Sequence, residues 1–401
     1  MGTLFAVVAW GLVLASLPGT IELFALTVGW LFPRREIQGP REGRVERLTV
    51  VVPAHNETAG IERTLSGLAS CHSIQGQVEV LVVADNCDDD TAALARAFAD
   101  RLDRTNFAVR VLERSNSVQR GKGYALNYAF SECLAKEPNK RPDAFLVIDA
   151  DTRVSQNLFT ETAAAFEAGA HGVQVPYHSG DPEASTRARL QHVALLAFNH
   201  LRPKSREHLG LSVGILGNGF GLSAELLTGI PYGAASIVED LEYHLNLVRA
   251  GERVRFVERA MVAADAPPGD QGAKTQRARW EGGRFRMIAE HAPKLAREVL
   301  RGRLRLLEPL FELLLLPLAF HVLLLGLLLV LPNSAGRTYA LASLGLVFVH
   351  VLAAIRTGGG SLADLKALAA APFYVLWKIL LLPKVFATAR RSADWSRTER
   401  S

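Results

Sequence analysis

A short apolar run, Phe145-Leu146-Val147-Ile148, leads straight into two carboxylates spaced i, i+2, Asp149 and Asp151. A run of this kind suits a strand buried on both faces of a parallel sheet. Its carboxyl end then lies where open α/β sheets bind ligands. Two carboxylates this close raise each other's pKa unless a cation sits between them. Hard oxygen ligands with open positions suit Mg²⁺ or Mn²⁺ shared with a substrate diphosphate. The plain alternative is a solvated turn after a strand.

Other stretches carry chemistry of the same kind. Val50-Val51-Val52-Pro53-Ala54-His55-Asn56-Glu57 closes a strand with a polar loop, and Pro53 removes a pairing donor there. Val82-Val83-Ala84-Asp85-Asn86 ends a second strand on a carboxylate. Asp85 is the better ligand contact, whereas Asp89 and Asp90 read as caps of the helix that follows. Gly121-Lys122-Gly123 opens a helix with a cation and free amides, an anion site or else a solvated loop lysine. It lacks P-loop spacing. Gly217-Asn218-Gly219-Phe220-Gly221 misses the dinucleotide fingerprint because residue 222 is Leu, so its glycines are expected to admit close backbone approach to a ligand. Val238-Glu239-Asp240 heads an amphipathic helix, as a cap or as a carboxylate general base. Gln276-Arg277-Ala278-Arg279-Trp280 combines hydrogen-bonding groups, two cations and a large aromatic. Alone it could be an amphipathic membrane-surface helix.

The elements that must position these residues alternate. Strands are expected at Leu48–Val52, Val78–Ala84, Phe107–Leu112 and Phe145–Ile148, with helices at Ile61–Leu68, Thr91–Leu102 and Tyr124–Leu134 between them. Further strands are expected at Gly172–Val175, Gly214–Gly221 and Arg253–Val257, with a helical stretch around Ser185–His200. Such alternation predicts an α/β fold, a doubly wound, mostly parallel sheet.

The ends of the chain differ from this middle. Residues 4–32 carry one charge, Glu22, and are long enough to span a bilayer. They read as an anchor rather than a cleaved signal. Arg34, Arg35, Arg41, Arg44 and Arg47 follow, which places the next domain in the cytoplasm. Leu304–Leu331 and Tyr339–Ile355 read as two more spans, and Ala367–Thr388, broken by Pro372 and Pro383, as an interfacial or re-entrant helix. The expected organisation is a transmembrane anchor at 1–33, a basic linker at 34–47, a catalytic domain at 48–300, a membrane region at 301–389 and a basic tail at 390–401. The location follows as a plasma or inner membrane, multi-pass, with the catalytic domain cytoplasmic.

Over 401 residues, 49% are hydrophobic and the formal charge is +5. The basic residues cluster beside the apolar segments, which argues against a nucleic-acid partner and for membrane lipids. Three scattered cysteines, Cys71, Cys87 and Cys133, exclude a disulfide framework and fit a reducing compartment.

Taken in order, Asp85, Asp149-Ala150-Asp151, Val238-Glu239-Asp240 and Gln276-Arg277-Ala278-Arg279-Trp280 resemble the D, DxD, TED and Q(Q/R)xRW pattern of the inverting family 2 glycosyltransferases of GT-A fold. The closer likeness is to membrane-embedded polysaccharide synthases of the cellulose, chitin and hyaluronan type, and it covers residues 48 to 285 and, in outline, the flanking spans. Val238 departs from the pattern's Thr.

The resemblance implies roles. Asp85 would contact the nucleobase, with Pro53, His55 and Glu57 shaping its pocket. Asp149 and Asp151 would hold Mg²⁺ or Mn²⁺ on the donor diphosphate, with Lys122 a phosphate neighbour. Asp240 would deprotonate the acceptor hydroxyl beside Glu239. Trp280 would sit under the acceptor, with Gln276, Arg277 and Arg279 near the diphosphate. The donor would be a nucleotide sugar, UDP-linked by family likeness, and the acceptor a growing glycan or a lipid-linked one. Processive synthesis is expected. The alternatives are transfer of one sugar to a lipid carrier, and an inactive nucleotide-binding scaffold. The few spans leave room for an oligomer or export partner.

Overall fold

A computed structural model describes residues 2–34, 43–179, 181–233, 239–264 and 269–379, with side chains from residue 281 in the last range and to Trp377. In chain order, α1 (Gly2–Gly29) is mostly apolar, with Glu22 its one charge, and contains Pro18. β1 (Arg47–Ala54), α2 (Ile61–Ala69), β2 (Gln77–Asp85), α3 (Thr91–Asp100), β3 (Phe107–Arg114), α4 (Lys122–Leu134) and β4 (Ala144–Val147) follow in strict alternation. Then come β5 (Thr152–Val154), α5 (Leu158–Glu167), β6 (Gly172–Gln174) and β7 (Tyr177–Ser179). α6 (Thr186–Leu196) runs through a π-helical turn at Ala197–Leu201 into α7 (Arg202–Leu209). β8 (Phe220–Ser223), α8 (Ala224–Gly229), α9 (Glu239–Ala250), β9 (Val254–Phe256) and β10 (Val262–Ala264) complete the sheet region. The chain ends in α10 (Gly269–Leu300), α11 (Leu307–Leu314), α12 (Leu318–Val330), α13 (Ser334–Thr357), α14 (Leu362–Ala367) and α15 (Ala371–Ile379).

These elements divide into two compact units. One comprises Arg35–Ser179 and Gly210–Asp265. Its main sheet has the order β3-β2-β1-β4-β8-β6-β9, and only β8 runs antiparallel to its neighbours. Val-rich β1 and β2 are buried on both faces, as expected for central parallel strands. One apolar layer, with Leu65, Leu68, Phe159 and Phe166, covers one face. A second, with Leu126, Phe130, Tyr232 and Tyr243, covers the other. A small sheet, β5-β10-β7, stands apart from the main one.

Two details differ from the sequence expectation. The glycine-rich stretch expected as a strand at Gly214–Gly221 is mostly loop, and the strand is Phe220–Ser223. Four glycines in that stretch weaken strand formation, whereas Phe220 and Leu222 fill the core. Pro53 does not end β1. Val51 accepts from Ile148 N–H at 3.0 Å, the last bond to the β4 side, and pairing with β2 continues to Ala54. The missing proline donor therefore falls where one partner has already left.

The other unit comprises Met1–Arg34, Gly180–Leu209 and Ala266–Arg400. Residues 180–209 and 266–300, placed inside the catalytic domain on sequence grounds, thus cluster with the apolar helices. α1 from Thr3 and α13 are each long and apolar enough to cross a membrane. The stretch 304–331 is not one straight span: α11 and α12 meet at 78°. Pro317, with extended backbone, sets the break.

Polar groups fasten these helices to one another. Thr20 Oγ1 on α1 lies 2.8 Å from Tyr339 Oη and 3.3 Å from His321 Nε2, and Thr27 Oγ1 lies 2.9 Å from His350 Nδ1. α7 closes against the end of α1, where Ser205 Oγ donates to the Leu26 carbonyl at 2.6 Å. At the centre, buried Arg206 pairs with Glu22 of α1 at 3.1 Å, with Glu312 of α11 at 2.8 Å, and with Glu308. Arg202 lies 3.6 Å from Glu312, and Arg284 of α10 donates to the Glu312 and Leu315 carbonyls at the end of α11. Buried charges persist only when paired and hydrogen-bonded in this way.

Candidate active site

The carboxyl ends of β1, β2 and β4 share one edge, because Ala54 aligns with Ala84 and Val51 with Val147. Asp85, at the end of β2, is buried. Its Oδ1 accepts from Arg114 Nη1 at 2.6 Å, and its carbonyl accepts from His55 Nδ1 at 2.7 Å. Arg114 also binds the Gln119 carbonyl at 2.8 Å and Gln119 Oε1 at 3.2 Å. Glu57 is fixed through its N–H, which donates to Thr91 Oγ1 at 2.7 Å. Asp89 Oδ1 accepts from Thr91 N at 3.0 Å and so caps α3, whereas the Asp90 side chain makes no capping bond.

The second cluster gathers at the end of β4. Lys122 heads α4 after Gly121, whose φ is +114°. Its Nζ pairs with Asp149 Oδ1 and donates to the Gly217 carbonyl. It is therefore not a solvated loop lysine. Asp149 N–H donates to Asn218 Oδ1 at 3.1 Å, and Asn218 Nδ2 donates to Thr152 Oγ1 at 2.9 Å. One buried amide thus straddles the whole Asp149–Asp151 turn. Gln174 holds the loop from behind: its Nε2 donates to the Asn218 carbonyl at 2.8 Å and its Oε1 accepts from Leu216 N at 2.8 Å. Thr64 Oγ1 of α2 donates to the Ala150 carbonyl at 2.8 Å.

Asp240 comes to the same loop from the start of α9, next to Glu239. A Cβ built on Gly217 would stand 3.0 Å from Asp240 Oδ2. Gly219 and Gly221 likewise approach Val175, Val262 and the Phe145 carbonyl. The close approach that the glycines permit is therefore to the protein's own groups. Asp240 Oδ1 accepts from Leu241 N–H at 2.8 Å. Burial pushes its carboxyl above the usual range, Asp149 adds to the rise, and the Leu241 N–H and the Lys122 charge oppose it. A carboxyl raised this way is a stronger proton acceptor than an ordinary aspartate.

Three carboxylates, Asp149, Asp151 and Asp240, against one cation, Lys122, sum to −2 when ionised. A divalent cation offsets that charge, and two hard oxygens leave positions for a diphosphate. Among the described residues no cluster of three or more His, Cys, Asp or Glu is placed to hold a metal. The two carboxylates of Asp149 and Asp151, close in sequence at the end of β4, are the chemistry a divalent ion with open positions takes.

Sequence reasoning missed Arg114, Gln174 and Asn218. Arg114 had a signal, since it ends β3 in register with Asp85. Gln174 and Asn218 act across long separations and left none. The backbone of Gln276, Arg277, Arg279 and Trp280 is helical within α10, and their side chains lie outside the described residues, as does Val238.

Comparisons with known proteins show the family and the fold. A family described as glycosyltransferase like family 2 matches residues 46–283. A probable glycosyltransferase, YdaM, of Bacillus subtilis (strain 168) is 23% identical over 254 residues, 62% of this chain and 58% of its own. Beta-monoglucosyldiacylglycerol synthase of Trichormus variabilis (strain ATCC 29413 / PCC 7937) is 27% identical over 161 residues, 40% of this chain and 32% of its own. The chain thus spans about half or less of the curated relatives it matches. Among solved structures, mannosyltransferase PcManGT from Pyrobaculum calidifontis, in complex with GDP-Man and Mn²⁺, superposes with a TM-score of 0.54. That likeness covers 96% of this chain and 97% of the other at 18% identity, and it is a likeness of fold.

Proposed function

The chain belongs to glycosyltransferase-like family 2, and on that premise we propose that it is a membrane-bound inverting sugar transferase. It moves a sugar from a nucleotide sugar, UDP-linked by family likeness, to a growing cell-surface glycan or a lipid-linked acceptor. One observation carries this reading: the loop Leu216–Gly219 meets the Asp149–Asp151 turn, Lys122 and Asp240 at once.

Each group then has one task. Asp85, held by Arg114 and His55, faces the nucleobase, and Pro53 and Glu57 frame that pocket. Asp149 and Asp151 would hold Mg²⁺ or Mn²⁺, which when bound offsets the charge gained by the departing diphosphate. Lys122 adds a fixed cation beside it. Asp240 accepts the acceptor hydroxyl proton as that oxygen forms its bond to the anomeric carbon. The donor's bond to the diphosphate oxygen breaks on the opposite side. In-line displacement with one carboxylate inverts the anomeric configuration. Gln276, Arg277, Arg279 and Trp280 are assigned to the diphosphate and acceptor, and Glu239 to support of the base.

The membrane reading is supported by α1 and α13, with a cytoplasmic catalytic domain following from the arginines after α1. The Gln276–Trp280 motif favours processive synthesis. Transfer of one sugar to a lipid acceptor is the second reading. It is favoured by the likeness to a beta-monoglucosyldiacylglycerol synthase and by the two or, counting the bent pair, three spans among the described residues.

A donor screen tests both. Purified protein in nanodiscs receives a panel of UDP- and GDP-sugars with Mn²⁺ and native membrane lipids. Released nucleoside diphosphate and product size are read together. One active donor with long products supports polymer synthesis, and one added sugar supports the lipid reading. Silence across the panel, with native lipids supplied, makes a missing partner or the scaffold reading the next thing to test.

A further inference from the structure

The end of α10 keeps apolar side chains outside in a rigid turn. Gly302 takes φ +92°, its N–H donates to the Val299 carbonyl at 2.9 Å, and Arg303 N–H donates to the Glu298 carbonyl at 3.1 Å. These two bonds make a Schellman motif. Such a motif is frequently fastened by an apolar contact between the residues that here are Glu298 and Arg303. They form an ion pair instead, at 3.1 Å. The neighbouring leucines are left in the open: Leu300 is 88% exposed and Leu304 69%, and Leu307 is exposed as well.

Cations surround those leucines. Lys294, Arg297, Arg301, Arg303 and Arg305 are all exposed. Five positive charges against Glu298 leave a net +4 over residues 294–305. The chain then runs directly into α11 and the apolar α12, a bent pair that could form a span. Leucines flanked by snorkelling cations match one kind of surface, the headgroup and acyl boundary of an anionic bilayer.

We propose that the turn at 294–307 docks on the anionic surface of a lipid bilayer, with Leu300 and Leu304 in the acyl boundary and the basic residues among phosphate headgroups. This rests on the membrane-bound reading and not on the sugar chemistry. Each basic residue near such a surface strengthens docking roughly fivefold, and salt weakens it.

Hydrogen exchange on the full chain in nanodiscs tests the proposal. One set of discs holds phosphatidylcholine alone, and the other has phosphatidylglycerol added. Amides 301–307 should exchange at least about tenfold more slowly with phosphatidylglycerol, and the difference should fade in high salt. Arg297→Gln/Arg301→Gln/Arg305→Gln should lose the lipid difference. Leu300→Ser/Leu304→Ser, which leaves the Glu298–Arg303 pair in place, should exchange faster in both discs. Equal exchange in both lipids, with α13 protected, overturns the docking alone. Protection in phosphatidylcholine that grows with protein concentration assigns the face to a second copy and also overturns it. Free exchange across α13 in both discs removes the membrane reading, and the docking with it.

Discussion

Gly217→Ala tests whether the loop sets the place of the Asp240 carboxylate. Gly217 has φ +80°, a conformation that costs an alanine roughly 1–2 kcal/mol. Its Cβ would stand 3.0 Å from Asp240 Oδ2, and ordinary contact begins at 3.4 Å. The carboxylate must therefore retreat by 0.4 Å, the difference of those distances. A displacement of about 1 Å at a reacting group costs on the order of 100-fold in rate, so this retreat scales to roughly five- to tenfold. Once the donor screen has given a turnover, kcat is measured from released nucleoside diphosphate at saturating donor. Nucleotide affinity is measured by calorimetry and Tm by thermal unfolding. The expected pattern is a kcat five- to tenfold lower, unchanged nucleotide affinity and a Tm lower by a few degrees. Full kcat with a lowered Tm refutes the reasoning, because the loop would then carry strain without holding the base.

Further outcomes follow from the structure. Asp240→Asn should lower transfer by roughly 100- to 10,000-fold with nucleotide binding retained, and unchanged turnover removes Asp240 as the base. The same variant should melt higher at neutral pH: between the ordinary aspartate value of 3.8 and the raised one, the folded chain holds a proton that the unfolded chain has released, so stability falls as pH rises through that window. The acid limb of kcat should lie above the ordinary carboxylate range, and Lys122→Met should move it higher still, because the Lys122 charge opposes the rise; a move to lower pH would falsify that coupling. EDTA should stop turnover and Mn²⁺ or Mg²⁺ restore it, while Asp151→Asn should lose the thermal shift that Mn²⁺ with nucleotide produces; indifference to chelation removes the metal role. Arg206→Met should destabilise the helical unit by about 3–5 kcal/mol, read from unfolding in detergent, since three carboxylates lose their central cation.

The parallel core was legible because its signal is local. Leu48–Val52, Val78–Ala84 and Phe145–Ile148 are Val-, Leu- or Phe-rich runs of strand length, each leading into polar groups, and all fell in one sheet. The carboxylates at their ends needed no further information. The small sheet was not legible, because β5, β7 and β10 are three residues each, too short for a period to show. Asn218 was invisible as a positioning group because its partners, Asp149 and Thr152, lie 69 and 66 residues away. The glycines around it were read as admitting a ligand; Gly217 approaches Asp240, and Gly219 and Gly221 approach Val175, Val262 and the Phe145 carbonyl. Arg206 left no signal in the sequence for a similar reason. The carboxylates that neutralise Arg206 come from helices at both ends of the chain.

Arg206 also places the helical unit in time. Glu22 and Arg206 are 184 residues apart. At a synthesis rate of about 5–20 residues per second, α1 leaves the ribosome roughly 10–40 s before the arginine that neutralises it exists. Glu308 and Glu312 arrive later again, from α11. The nascent α1 thus carries a lone carboxylate while the 184 residues up to Arg206 are made. The charged cluster closes only once α11 has been made. A chain halted before Arg206 leaves Glu22 of α1 without that cation.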